Sequence, residues 1–280
     1  MASSATLRAR VESALGEQLS STLLLRERVA PLTVSTGVAA LDALTGGWPR
    51  GALSEISGAA SSGRTGVMLA ALAGATRREE ACALVDASDN FDPASAAAAG
   101  VNLERLLWVR CGECDRSSLR NVNAQRRGAL GRLEQVLKVT DLLLQGGDFG
   151  MVALDLGNIP TESVRRIPLT SWFRFRRAVE PTATVLLVVE REACAKTCAS
   201  LVVRLQRTAV CAHDSALGAQ PESQGWKVLG RETSAIPSAN VVSHAALLRG
   251  MQLRAEVVRS WAQRKPMHSV GANFELRAAW

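Results

Sequence analysis

No apolar run in this chain approaches the ~20 residues that a membrane-spanning helix needs. Its opening stretch, MASSATLRARVESALGEQL, meets charged side chains before an apolar signal core can form. Both absences point to a soluble, cytoplasmic protein. No internal repeat is apparent. Lysine is scarce: it stands only at Lys138, Lys196, Lys227 and Lys265, so arginine carries most of the positive charge. The net charge is +7 and the isoelectric point about 9.6. That balance suits contact with nucleic acid or an acidic partner, and equally a solvated arginine-rich surface. What the chain does have is length and apolar content. Its 280 residues, 47% of them hydrophobic, suffice for one large core or two small ones.

Six cysteines occur, two pairs of them at short spacing: Cys111 with Cys114, and Cys194 with Cys198. Four thiolates could hold zinc, but the second spacing is loose and the pairs lie far apart in sequence. Reduced thiols at strand ends are the simpler expectation, and no dedicated metal site is expected.

Hydrophobic periodicity predicts an N-terminal helix over 6–19, joined through a linker to a main body that begins near Ser35. Residues 1–34 therefore read as a helix and linker arm, and 35–280 as a core domain. Within the core, strands are expected over 52–58, 81–88, 105–111, 149–157 and 182–190. Helices are expected over 64–77, 92–100, 129–147 and 168–180, the second with an Asp92-Pro93 start. Continuous apolar strands alternating with helices argue for a mostly parallel sheet flanked by helices. After Glu190 the pattern changes. Residues 200–207 and 250–261 alternate apolar with polar, as half-exposed antiparallel strands do. Residues 208–249 are rich in Gly, Ser, Pro and Ala and read as a long flexible excursion. The stretch 112–128 reads as a polar loop or frayed helix. Its Arg116, Arg120, Arg126 and Arg127 are candidates for sequence-independent contact with DNA phosphates. Trp172, Phe173 and Phe175 interleave with arginines; their helical spacing favours a core face over base stacking.

The stretch GAASSGRTG, residues 58–66, follows a predicted strand and opens a predicted helix. That context makes a match to G-x-x-x-x-G-K-[ST] meaningful, since such a loop cradles phosphate with backbone N–H groups. The candidate nucleotide-site residues are Gly58, Ser61, Ser62, Gly63, Arg64, Thr65 and, at the end of a later strand, Asp155. Thr65 and Asp155 have the chemistry to hold Mg²⁺. Arg64 stands where lysine is required. A planar guanidinium cannot take an ammonium's slot without displacing something. Hydrolysis is therefore doubtful, and weak ATP and Mg²⁺ binding is the most that is expected.

Residues 35–73, 83–109, 149–157 and 184–190 resemble the core of the RecA recombinases, and 198–207, 255–261 and 272–277 resemble its last strands. Closer still, GGWPRGALSE (46–55), RLLWVRC (105–111) and IPLTSWFRFRRAVEPTATVLLVV (167–189) resemble the ImuA family, RecA-like accessory proteins of mutagenic translesion DNA synthesis. The resemblance implies a RecA-like P-loop core and exposes departures from it. Ser88 stands where the recombinases carry the glutamate that activates water. Glu190 replaces the glutamine that senses the γ-phosphate, and an ionised carboxylate there would repel phosphate. Of the two lysines that reach a neighbouring subunit's nucleotide, Arg259 keeps a cation and Trp261 does not. Only a stub separates Glu190 from Ser200, where the recombinases carry a long DNA-binding loop. The resemblance thus implies a non-catalytic adaptor. Its partners would be a Y-family polymerase homologue, an error-prone C-family polymerase, possible DNA at the nucleoid and further copies of itself. Two alternatives stay open: a DNA-stimulated ATPase, and a cell-division inhibitor that no residue supports.

Overall fold

The computed structural model describes residues 31–111, 122–212, 248–260 and 271–277. Within these, the side chains of 122–130, 210–212, 248–249 and 277 are not described. The chain divides into two units, Met1–Pro31 and Leu32–Trp280, and the second carries the sheet. The predicted helix over 6–19 lies outside the described residues, as does Trp261.

A two-stranded ribbon of β1 (Thr33–Val34) and β2 (Trp48–Pro49) brackets helix α1 (Ala39–Thr45). Among the described residues the main sheet has eight strands. These are β3 (Ala52–Gly58), β4 (Cys82–Asp86), β5 (Leu106–Arg110), β6 (Met151–Asp155), β7 (Val185–Glu190), β8 (Leu201–Ala212), β9 (Leu248–Arg259) and β10 (Gly271–Arg277). Their spatial order is β10-β9-β8-β3-β7-β6-β4-β5. The run from β8 to β5 is parallel throughout, and β8, β9 and β10 pair antiparallel. Helices α2 (Arg64–Arg77), α3 (Pro93–Ala98), α4 (Val122–Gly146), α5 (Thr161–Val164) and α6 (Leu169–Val179) complete the fold.

The parallel strands are buried on both faces, so their sequences read as unbroken apolar runs. On one face Ile56, Leu84, Ala153 and Leu187 meet Val67, Met68, Ala71 and Leu72 of α2. On the other, Leu53, Val85, Leu154 and Val188 meet Leu133, Val136 and Leu144 of α4 and Trp172, Phe175 and Val179 of α6. Phe173 is 44% exposed, so Trp172 and Phe175 alone of that aromatic group enter the core. In β9, Leu253, Ala255 and Val257 are buried while Gln252 and Arg254 are exposed, which is the alternation expected of a half-covered strand. Asp92 caps α3 as its sequence suggests, accepting from the Ala94 and Ser95 N–H groups, with Pro93 in the first turn.

Several boundaries differ from expectation. Helix α4 begins at Val122, earlier than the predicted 129, so the described end of 112–128 follows the helical of its two readings. Strands β8 and β9 are each 12 residues long, because backbone pairing carries the ribbon beyond its alternating segments. Residues 208–212 and 248–249 thereby leave the predicted excursion; 213–247 lie outside the described residues. The short helix α5 has no counterpart among the predicted elements. Among the described residues no helix is long and apolar enough to cross a membrane.

Candidate functional site

Parallel strands β3, β4, β6 and β7 end together, at Gly58, Asp86, Asp155 and Glu190. The carboxyl edge of such a sheet is where ligands bind in open α/β folds. Gly58 passes the chain into the loop, and Gly63 caps α2 at φ 84°. Ser61 is also left-handed, at φ 57°. A Cβ on Gly63 would fall 2.3 Å from Leu253 Cδ1, and one on Gly58 would fall 2.5 Å from both Leu205 O and Ser62 Oγ. Both glycines are therefore required by close approach, and Gly63 also by its left-handed turn. Ser62 N donates to Ala59 O at 3.2 Å, while the Ser62 hydroxyl is buried with no partner.

Arg64 opens α2 and is only 8% exposed. Its side chain reaches over Gly157: a Cβ there would lie 3.0 Å from Arg64 Nη1 and 3.0 Å from Asp155 Oδ1. Nη1 is buried and unpartnered. Burial lowers the Arg64 pKa most; Arg191 adds to this, and the carboxyls of Asp155 and Glu190 oppose it. A guanidinium nevertheless keeps its charge in proteins. Asp155 accepts from Gly157 N at 2.8 Å. Burial raises its pKa and Asp86 adds to the rise; the Gly157 N–H and Arg64 pull it down. Asp86, its register partner on β4, accepts from Ser88 N at 3.1 Å and Phe91 N at 2.9 Å.

These residues do not fit a magnesium ion. Mg²⁺ needs near-octahedral oxygen ligands at short range. Here a guanidinium nitrogen and the Asp155 oxygen converge over one glycine, and Thr65 is exposed at the start of α2.

The remaining sequence-predicted positions fall around this edge. Ser88 is partly buried and its hydroxyl has no partner. Its neighbour Asp89 is turned away at φ 56° and held by Arg110 through two 2.6 Å bonds. Glu190 corrects an expectation. It is 1% exposed and lies beside the fully buried Glu55. Burial first, and then Glu55, push its pKa up to about 10. Glu190 is thus protonated at neutral pH, and the expected repulsion of phosphate does not arise from it. Cys194 N donates to Glu55 Oε1 at 2.9 Å and to Glu190 Oε1 at 3.0 Å; Ala195 N donates to Glu55 Oε1 at 2.5 Å. The stub after β7 is therefore anchored on this carboxyl pair. Arg259 is also committed within the chain, donating to the carbonyls of Lys196 and Ala199. Cys194 sits with Glu55 and Glu190, and its thiol is pushed up by burial and by both carboxyls. Cys111 packs in the core below β5, and Cys114 lies outside the described residues.

Arg116 and Arg120 lie outside the described residues; Arg126 and Arg127 lie on α4, their side chains undescribed. The structure instead shows a pocket of about 610 Å³ on the β8 flank of the loop. Gly58, Ser62, Arg191, Arg204 and Arg207 are among its lining residues. Sequence reasoning missed these three arginines and Glu55. Glu55 could have been found as the lone charge in the apolar strand ALSEISG; the arginines had no local signal.

The fold is a RecA-like α/β domain with a mostly parallel sheet and antiparallel C-terminal strands. The crystal structure of the RadB recombinase shares this fold at a TM-score of 0.53 and 15% identity, covering 88% of this chain and 97% of that one. The family described as RecA N-terminal domain matches residues 5–122. Protein RecA of Ectopseudomonas oleovorans is 36% identical over 124 residues, covering 44% of this chain and 30% of that protein. Protein RecA of Deinococcus radiodurans is 32% identical over 152 residues, covering 54% and 37% respectively. The matched segments span less than two-fifths of these relatives' own length. The sequence likenesses cover part of this chain, and the structural one shows its fold.

Proposed function

We propose that this chain is a non-catalytic RecA-like adaptor in mutagenic translesion DNA synthesis, of the kind the ImuA family represents. It would bind a Y-family polymerase homologue and support an error-prone C-family polymerase at the nucleoid. The observation that carries the reading is the state of the loop site. Arg64 is buried over Gly157 with its Nη1 unpartnered, and no carboxylate stands at Ser88 to activate water. General-base help is worth ~10²–10⁴-fold in such reactions, so its loss alone leaves little turnover. The ImuA-like segments at 46–55, 105–111 and 167–189 support the choice of partners.

A docking edge is also present. In the described sheet β5 pairs only with β4, so its outer edge is open, and Leu107 is 48% exposed there. An edge strand of this kind accepts a further strand from another chain. Residues 1–34 of a second copy, or a like segment of a polymerase partner, would compete for it. The test is co-purification with the polymerase homologue, with and without a peptide of residues 1–30, alongside ATP turnover with single-stranded DNA. Capture that the peptide reduces, with no turnover above background, is expected. Partner binding unaffected by the peptide overturns the shared edge, and DNA-stimulated turnover overturns the non-catalytic reading. The latter result would favour a DNA-stimulated ATPase, for which the retained glycine geometry of 58–63 speaks.

A further inference from the structure

Two glutamates and a cysteine meet in the interior beside the stub that follows β7. Glu55 on β3 stands opposite Val188, and Glu190 on β7 stands opposite Ser57. The two carboxyls therefore share one face of the sheet, two residues apart along it. It is the face that α4 and α6 cover, where Leu53 and Val188 also pack. Helix α2 packs on the opposite face, against Ile56 and Val189. The stub brings Cys194 back to the pair. A carboxylate oxygen of each glutamate and the Cys194 Sγ lie within 4.8 Å of one another, all three residues buried. Among the described residues this is the one cluster of three metal-ligating side chains so placed.

Both carboxyls are used in the same way. Glu55 Oε1 accepts from Cys194 N and Ala195 N, and Glu190 Oε1 accepts from Cys194 N. Glu55 Oε2 and Glu190 Oε2 are buried and without a partner, on residues 0% and 1% exposed. Among the described residues no arginine or lysine forms an ion pair with either. Buried acids are paired, protonated or bound to metal. A carboxylate held through one oxygen by backbone N–H groups is oriented to offer the other to an ion. One sulfur and two carboxylate oxygens suit zinc, at bond lengths of ~2.3 Å and ~2.0–2.2 Å. Such donors around a tetrahedral ion stand about 3.4–3.6 Å apart, so small side-chain rotations close the site.

We propose that Glu55, Glu190 and Cys194 form a zinc site that fastens the stub to the sheet, its fourth position left for water. Zinc takes the place of the protons that the Glu190 carboxyl and the Cys194 thiol carry in the metal-free chain. Residues 191–193, the chain between two of the ligands, line the 610 Å³ pocket, which gives the ion its way in. The site is separate from Asp155 and from the loop, and does not depend on the adaptor reading.

The test uses the full chain, stripped with EDTA and returned to chelator-free buffer. One equivalent of Zn²⁺ should bind in calorimetry and raise the melting temperature, and Mg²⁺, which avoids sulfur, should not. Co²⁺ in its place should give the near-ultraviolet absorption of a cobalt–thiolate bond. Cys194→Ser should abolish that band and weaken Zn²⁺ binding at least ~tenfold, since loss of an outer partner alone costs ~10–100-fold. Glu190→Gln copies the protonated acid, so without metal it should melt no lower than wild type, yet lose the zinc shift. No Zn²⁺ binding by wild type would mean that the pair is held by its shared proton alone, and overturns the proposal. So does a cobalt band that survives Cys194→Ser, which places the ion on other thiols, or a zinc shift that survives Glu190→Gln.

Discussion

Replacing Glu190 with glutamine should make the protein more stable at mildly alkaline pH and flatten its pH dependence. Glu190 is held protonated to about 10, against an ordinary 4.5, by burial and by Glu55. Between those values the folded chain binds a proton that the unfolded chain has released. Stability therefore falls as pH rises from the ordinary carboxylate range to about 10, at up to ~1.4 kcal/mol per pH unit. From about pH 6 to about pH 8 the full cost is ~2.7 kcal/mol. Sharing of the site with Glu55 makes ~1–3 kcal/mol the expected span. Glutamine copies the protonated acid: its oxygen can accept from Cys194 N, as Glu190 does now, and its amide can donate toward Glu55. Urea unfolding of wild type and Glu190→Gln at both pH values measures the difference, and groups titrating elsewhere cancel in it. Parallel pH dependence of the two proteins would refute the buried protonated pair.

Other consequences are equally direct. Trp172→Ala removes a side chain 1% exposed that meets Phe175 edge-on at 5.9 Å between ring centres; a loss of ~3–5 kcal/mol in urea unfolding is expected. Gly63→Ala places a Cβ against Leu253 at a left-handed residue, so it should cost more than ~1 kcal/mol by the same measurement. Replacing Arg126 and Arg127 together should weaken single-stranded DNA binding in fluorescence anisotropy and reduce its salt slope, by about 0.7 for each phosphate no longer neutralised; unchanged binding would rule them out as DNA-binding residues.

The sequence made the parallel core legible because both faces of those strands are buried. An apolar run such as VLLVV has few other places to go. The glycine-bounded turn from β3 into α2 was legible because strand, loop and helix came in the order that phosphate loops require. Boundaries set by tertiary pairing were not. Residues 208–212 and 248–249 are strand because they hydrogen-bond to each other across a long sequence gap. The charge of Glu190 was misjudged because its partner, Glu55, lies 135 positions away by numbering and meets it only through strand register. The pocket arginines were hidden for the same reason: Arg191, Arg204 and Arg207 come from a stub and a strand, and only the sheet brings them to Gly58 and Ser62.

The four described cysteines carry a practical consequence. Cys82, Cys111, Cys194 and Cys198 are all buried, and burial lifts each thiol above its ordinary pKa, Cys82 to about 12. Alkylating reagents attack the thiolate, so in the folded protein these four sulfurs should react only as fast as the structure opens. They are spread over both layers of the core, Cys82 on the α2 face and the other three on the α4 and α6 face. Their order of modification under native conditions would therefore rank which layer loosens first.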